Sequence, residues 1–142
     1  MNVEPFPISR HVAWHQRAHS TARGRNGRRR VLIADDSADS REWLALLLKM
    51  SGHEVHVARD GAEAIEIAED VQPEVVFLDL EMPRASGFEV CARLRASSWA
   101  MHIPIYAITA FSNADHVRLA REAGFDAHLT KPLDPEVLPR LV

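Results

Sequence analysis

Five polar residues stand at the ends of apolar, strand-like segments, where they could act together on one substrate. They are Asp35, Asp36, Asp79, Thr109 and Lys131. Three neighbouring carboxylates repel one another, and a divalent cation relieves that repulsion. Ligands that are all oxygen favour Mg²⁺ or another hard ion. If the metal, Lys131 and the Thr109 hydroxyl balance the charge of a phosphoryl group, Asp79 remains as a carboxylate nucleophile. The set therefore suits phosphoryl transfer.

The elements that must position these residues alternate along the chain. Strand-like segments occupy 31–34, 54–58, 75–78, 103–108 and 125–129, and helical apolar spacing occupies 37–50, 61–71, the stretch after 86, 112–123 and 135–141. This alternation predicts an α/β fold of five βα units, a doubly wound parallel five-stranded sheet. Since ligands bind at the carboxyl ends of such strands, the five residues should converge. Pro139 within the last helix predicts that this helix is short or broken.

Length and charge divide the chain into two parts. Its 142 residues, 46% of them hydrophobic, suffice for one core. Residues 1–29 are basic, lack a helical or strand period, and are expected to be a disordered tail, while 30–142 form the domain. With seven Arg and one Glu, residues 1–30 carry about +6, and the rest carries about −9. Nucleic-acid binding by this tail is not expected, because the body is acidic and the tail has little aromatic interleaving.

The sequence also bears on membrane association, on the cellular compartment and on the oligomeric state. No apolar run approaches the roughly 18 to 20 residues that span a bilayer, so no membrane association is expected. The single cysteine, Cys91, excludes an internal disulfide and fits a cytoplasmic protein. We expect a monomer or a weak dimer.

Each site residue also has a simpler explanation when it is taken alone. An aspartate after a strand commonly caps the next helix, and most lysines are solvated. Only the joint placement of such groups at four separate strand ends favours chemistry over these alternatives.

Four segments carrying these residues closely resemble the receiver domains of two-component response regulators. They are Val31-Leu32-Ile33-Ala34-Asp35-Asp36-Ser37, Val76-Phe77-Leu78-Asp79-Leu80-Glu81-Met82-Pro83, Ile105-Tyr106-Ala107-Ile108-Thr109-Ala110 and Leu129-Thr130-Lys131-Pro132. Gly87 and the segment Asp60-Gly61-Ala62-Glu63-Ala64 also fit, and the resemblance covers about residues 30–138. It implies the flavodoxin-like strand order 2-1-3-4-5, which a receiver exemplifies among known folds.

The resemblance implies a phosphoacceptor role for Asp79. Thr109 and Lys131 would bind the phosphoryl group, and a phosphohistidine on a sensor histidine kinase or a histidine phosphotransfer domain would donate it. Such a domain is a signalling phosphoacceptor rather than an enzyme. It phosphorylates itself, slowly hydrolyses the acyl phosphate, and signals to a downstream protein by conformational change.

The same resemblance implies a metal site for Mg²⁺ or Mn²⁺. Asp36 and Asp79 would bind the ion directly, the backbone carbonyl of Glu81 would be a third protein ligand, and Asp35 would act through water.

His128 departs from the family pattern, in which Tyr or Phe precedes the lysine by three residues and turns inward on activation. An imidazole is smaller than a phenol and can titrate near neutral pH. We treat Thr109 and His128 as the switch pair, and we expect Thr109 to move without reorientation of His128. The alternative is that His128 is an ordinary, half-exposed histidine.

Two other classes of function remain open at this point. The chain could be a pseudo-receiver, which binds partners without being phosphorylated, or an aspartate-nucleophile phosphatase. Glu81, two residues after Asp79, fits the second acid of such phosphatases, but the 142-residue chain leaves no room for a substrate-binding cap.

Overall fold

The computed structural model describes residues 3–4, 27–110 and 113–142, and within them six strands form one sheet. The strands are β1 (Val3–Glu4), β2 (Arg30–Ala34), β3 (Glu54–Ala58), β4 (Val75–Asp79), β5 (Ile105–Thr109) and β6 (Ala127–Thr130). The helices are α1 (Ala38–Met50), α2 (Gly61–Val71), α3 (Gly87–Arg95), α4 (Ala114–Ala123) and α5 (Leu138–Leu141), with a 3-10 turn at Ser98–Ala100. None of these helices is long and apolar enough to cross a membrane.

The order of the strands across the sheet is β3-β2-β4-β5-β6-β1. Strands β2 to β6 are parallel, and counted from β2 their order is 2-1-3-4-5, which confirms the predicted fold. The short strand β1 was not predicted. It pairs antiparallel with β6, with Val3 opposite Leu129 and Glu4 opposite His128. Residues 5–26, on which most of the tail prediction falls, lie outside the described residues.

Alternation along the buried strands divides the core into two layers. On one face, Leu32, Val76 and Ile105 pack with residues of α2, α3 and α4. On the other face, Ile33 and Phe77 pack with residues of α1 and α5. Because successive side chains of a strand point to opposite faces, a strand covered on both sides must be apolar throughout. This explains the continuous apolar runs of β2, β4 and β5.

Local signals in the sequence set the ends of the helices. The side chains of Ser37, Asp60, Ser86 and Asn113 accept backbone N–H groups at the starts of α1 to α4. Such caps satisfy donors that a helix leaves unpaired in its first turn. Gly52 and Gly124, with φ of 95° and 106°, follow α1 and α4 and adopt the left-handed conformation that commonly ends a helix. Helix α5 is a single turn with Pro139 in its first two positions, where the missing N–H costs nothing.

A buried ion pair fixes the end of the sheet opposite the strand carboxyl ends. The Arg95 guanidinium lies 2.8 Å from Asp126 Oδ2, with only 16% and 0% of the two side chains exposed. Arg95 also donates to the carbonyl oxygens of Gly124 and Ile103, and the Ile105 N–H donates to Asp126. This network joins α3 to the starts of β5 and β6.

Candidate functional site

The carboxyl ends of four adjacent strands bring the predicted site residues to one edge. Asp35 and Asp36 follow β2, Asp79 ends β4, Thr109 ends β5, and Lys131 follows β6. Since β2, β4, β5 and β6 are consecutive in the sheet, residues almost a hundred positions apart become neighbours. The five residues therefore form one polar site at the top of an otherwise apolar sheet.

Three carboxylates form the acidic part of this site. One oxygen from each of Asp35, Asp36 and Asp79 lies within 4.8 Å of the other two. Asp35 and Asp79 are buried, with 2% and 5% of their surfaces exposed, whereas Asp36 is exposed. A set of oxygen donors that is open on one side fits a hard divalent cation that keeps some of its water.

Lys131 supplies the positive charge in the part of the site that the structure describes. Its Nζ lies 3.1 Å from Asp35 Oδ2 and 3.5 Å from Asp79 Oδ2. Burial lowers the pKa of Lys131, but its hydrogen bond to Asp35 and the charges of Asp35 and Asp79 outweigh burial and leave the pKa raised. The ammonium is therefore charged at neutral pH and points at the predicted nucleophile.

Asp79 is held in a setting that disfavours its ionised form. Burial raises its pKa to about 7, and the hydrogen bond and charge of Asp35 act in the same direction. The Glu81 N–H, which donates to Asp79 Oδ1 at 3.0 Å, and the charge of Lys131 act in the opposite direction. The metal-free site thus favours a proton or a cation beside Asp79.

Thr109 is completely buried at the end of β5. It lies opposite Thr130 in the β5–β6 register, and its carbonyl oxygen accepts the Lys131 N–H at 2.9 Å. The backbone of Lys131 is therefore tied directly to Thr109. A displacement of either residue would therefore also displace the other.

The glycines noted in the sequence allow the loop after Asp79 to pack closely. A Cβ on Gly87 would collide with the Asp79 carbonyl oxygen, and one on Gly61 would collide with the Ala85 backbone. Only glycine lets the starts of α3 and α2 approach the end of β4 and the loop that follows Asp79. Glu81 in this loop is exposed.

His128 is fully buried, so the alternative of a half-exposed histidine is wrong. Neither ring nitrogen has a hydrogen-bond partner in the part of the chain that the structure describes. Burial lowers the pKa of His128 to about 4, and the charge of His116 on α4 adds to this effect. The ring is therefore neutral at pH 7 and already inside the fold before any phosphorylation.

Acidification should destabilise the protein through His128. The folded pKa of about 4 is below the usual value of 6.5, so the unfolded chain binds the proton first and stability falls as pH drops from about 6.5 towards 4. Between pH 7 and pH 5 the wild type should lose about 2 kcal/mol of unfolding free energy that His128→Leu does not lose. Urea unfolding at both pH values measures this. His102→Leu, at an exposed site, is the control, and an equal pH dependence of wild type and His128→Leu would contradict the prediction.

One contact at the site could not be predicted from the sequence. The Arg41 guanidinium on α1 donates to the backbone carbonyl of Asp35 at 2.9 Å. The available signal was a basic residue close to the amino end of a helix, where the helix dipole disfavours positive charge.

Sequence comparison agrees with this geometry. The family described as the response regulator receiver domain matches residues 31–142. The transcriptional regulatory protein PdtaR of Mycobacterium tuberculosis is 45% identical over 105 residues, which is 73% of this chain and 50% of that protein. An uncharacterized 14.6 kDa protein of Leptolyngbya boryana is 36% identical over 112 residues, 79% of this chain and 86% of that protein. The chain thus spans about half the length of PdtaR.

Solved structures show the same likeness. The chemotaxis protein CheY4 of Vibrio cholerae superimposes with a TM-score of 0.75 at 31% identity, covering 80% of this chain and 98% of CheY4. A response regulator of Chloroflexus aurantiacus gives a TM-score of 0.75 at 30% identity, covering 79% of this chain and 92% of that one. With the strand order and the site, these matches place the chain in the receiver-domain family of two-component response regulators.

Proposed function

We propose that the chain accepts a phosphoryl group on Asp79 from a phosphohistidine, in a metal-dependent reaction. The observation that carries the proposal is the position of the Asp79 carboxylate. It lies 3.5 Å from the Lys131 ammonium and within 4.8 Å of the Asp35 and Asp36 carboxylates. The predicted nucleophile, the Lys131 ammonium and the candidate metal ligands thus lie close together. The family of the chain supports a sensor histidine kinase or a histidine phosphotransfer domain as donor.

Mg²⁺ or Mn²⁺ fits the donor set better than a softer metal. All three side chains offer oxygen, and the raised pKa of Asp79 supports a site that accepts added positive charge. Asp36 and Asp79 would hold the ion directly, Asp35 would act through water, and the Glu81 carbonyl would complete the protein ligands. When bound, the ion neutralises charge on the phosphoryl oxygens.

The residues of the chain have separate tasks in the transfer. A carboxylate oxygen of Asp79 attacks phosphorus, an O–P bond forms, and the P–N bond to the donor imidazole breaks. The imidazole leaves with the bonding electrons and regains a proton. Lys131 and the Thr109 hydroxyl bind phosphoryl oxygens, since this transfer depends chiefly on positioning and charge stabilisation. Hydrolysis of the acyl phosphate would return the site to its starting state.

Signalling would pass from the phosphoryl group through Thr109. Because His128 is already buried, inward rotation of this ring is not available as a response. We expect Thr109 to shift and to carry Lys131 and β6 with it through the backbone hydrogen bond. The protein would act in the cytoplasm, as a monomer or a weak dimer, upstream of a protein target.

The donor must cover the rim of the site, and apolar residues flank that rim. A cavity of about 250 Å³ lies between Asp39, Ser40 and Trp43 of α1 and Pro132 and Leu133 after Lys131. Trp43 and Leu46 on the same helix are 41% and 58% exposed. Exposed apolar groups beside a site mark contact surfaces. We propose that the phosphohistidine-bearing domain docks here.

Trp43→Glu should distinguish an effect on docking of the donor domain from an effect on phosphoryl transfer itself. Transfer from a phosphohistidine domain should slow by about tenfold or more, because a lost aromatic anchor commonly costs over about 1.4 kcal/mol. Labelling by acetyl phosphate, which needs no docking, should stay unchanged. Leu119→Glu, at a similarly exposed position on α4, is the control. Equal slowing with both donors, or none with the protein donor, would count against this surface.

The proposed function itself is tested with a radiolabelled phosphohistidine domain. The wild type should take up one labelled phosphoryl group only when Mg²⁺ is present, and hydroxylamine should release it as expected for an acyl phosphate. Failure of several histidine donors and of acetyl phosphate on folded, metal-loaded protein would favour the pseudo-receiver alternative.

A further inference from the structure

Arg41 lies beside the acidic cluster but does not pair with it. In α1 it is the fourth residue, half-buried, and the described part of the chain shows no ion pair between it and a carboxylate. Instead its Nη1 donates to the Asp35 backbone oxygen at 2.9 Å. A cation so close to the amino end of a helix opposes the helix dipole. A specific favourable contact of the Arg41 guanidinium is therefore needed to offset this unfavourable interaction.

The contact fixes the peptide unit that joins two candidate metal ligands. The Asp35 carbonyl belongs to the same planar peptide group as the Asp36 nitrogen. Asp35 is already held on its other sides, because its N–H donates to Ala58 and its carboxylate accepts the Ser37 N–H at 2.9 Å. Asp36 itself is exposed, so packing does little to orient it. The Arg41 hydrogen bond is thus the side-chain contact made directly to the peptide group that leads into Asp36.

We propose that Arg41 is a positioning residue for the metal site, setting Asp36 against Asp79 by holding the Asp35–Asp36 peptide. The inference rests on the proposed metal-dependent function. Groups that orient metal ligands typically change affinity by about 10 to 100-fold when they are removed. Arg41→Met should therefore weaken metal binding about tenfold.

The sign of this effect distinguishes positioning from simple charge. Removing a positive charge beside a cation site should strengthen metal binding by Coulomb's law. Loss of positioning should weaken it. A decrease in affinity in Arg41→Met therefore cannot come from the electrostatic change alone, and the two explanations make opposite predictions for one measurement.

The experiment is a titration of each metal-free protein with Mn²⁺, with free Mn²⁺ read by electron paramagnetic resonance. Arg41→Met and Arg41→Gln should both bind about tenfold more weakly, and Arg41→Lys should recover most of the affinity. Arg93→Met removes an exposed cation that pairs with Glu69 and should not alter binding. Melting temperatures in EDTA show which variants are folded, and the glutamine variant replaces the methionine one if that fails to fold.

The outcomes separate the inference from the function on which it rests. Wild-type binding with unchanged or tighter binding in the folded neutral variants would overturn the role of Arg41 and leave the proposed function standing. Absence of Mn²⁺ binding in the wild type would overturn both. Weaker binding in the neutral variants, with recovery in Arg41→Lys, would establish the positioning role.

Discussion

Asp79→Asn is expected to stabilise the metal-free protein by about 2 to 4 kcal/mol at pH 8. Burial and the neighbouring Asp35 raise the pKa of Asp79 to about 7, so the folded protein resists its ionisation. In the unfolded chain the same carboxyl ionises near its ordinary value. Folding at pH 8 therefore carries the cost of burying a charge that asparagine does not bear. Asp79, the residue best placed for phosphoryl transfer, thus lowers the stability of the metal-free protein.

The pH dependence gives this prediction its sign. For an acid whose folded pKa is raised, the unfolded state releases its proton first, so wild-type stability falls as pH rises from about 4 to about 7. The advantage of Asp79→Asn should be less than half as large at pH 5 as at pH 8. Urea unfolding in EDTA measures both values, and Asp36→Asn, at the exposed member of the cluster, should gain less. An advantage that does not grow with pH would contradict the explanation.

Added Mg²⁺ should reverse this order of stability, so that the wild type becomes more stable than Asp79→Asn. A ligand that binds only the folded state adds stability in proportion to the logarithm of its concentration over Kd. Added Mg²⁺ should stabilise the wild type and have little effect on Asp79→Asn, which lacks one carboxylate ligand.

Arg95→Met is expected to lower the free energy of unfolding by about 3 to 5 kcal/mol. The substitution leaves Asp126, which is fully buried, without the guanidinium 2.8 Å away. It also removes donors from the Gly124 and Ile103 carbonyls. Breaking one side of a buried pair costs far more than the pair contributes against an apolar replacement, because the other charge stays buried.

A neighbouring surface pair provides the control for Arg95. Arg93 lies 3.1 Å from Glu69, with both side chains more than half exposed. Exposed pairs contribute about 0 to 1 kcal/mol, so Arg93→Met should have a small effect. Denaturant unfolding of both variants at pH 7 tests the contrast. Similar losses in the two variants would show that Arg95 does not act as a buried anchor.

Much of the fold could be predicted because its signals are local. The continuous apolar run of β4 and its final aspartate predicted a buried parallel strand with a functional end, and the sheet order was confirmed. Pro139 predicted a short last helix, and α5 is one turn. Strand β1 could not be predicted, since its two residues have no period and pair only with distant β6.

The candidate site also combines features that could be predicted from the sequence with features that could not. The grouping of Asp35, Asp36, Asp79 and Lys131 followed from strand ends, which topology alone brings together. The complete burial of His128 and the Arg41 contact could not be read from the sequence, because each depends on the packing of a particular side chain. The phosphoacceptor role of Asp79, the metal-binding roles of the carboxylates and of the Glu81 carbonyl, and the phosphoryl-binding roles of Thr109 and Lys131 remain predictions.

The most direct test of the central claim is the intact mass of the protein after incubation with acetyl phosphate. With Mg²⁺ the wild type should gain a single phosphoryl group, and it should gain none in EDTA. Asp79→Asn should gain none under either condition, and Asp60→Asn, at a helix cap outside the cluster, should behave as the wild type. A metal-dependent adduct that persists in Asp79→Asn would contradict the assignment of Asp79 as the phosphoacceptor.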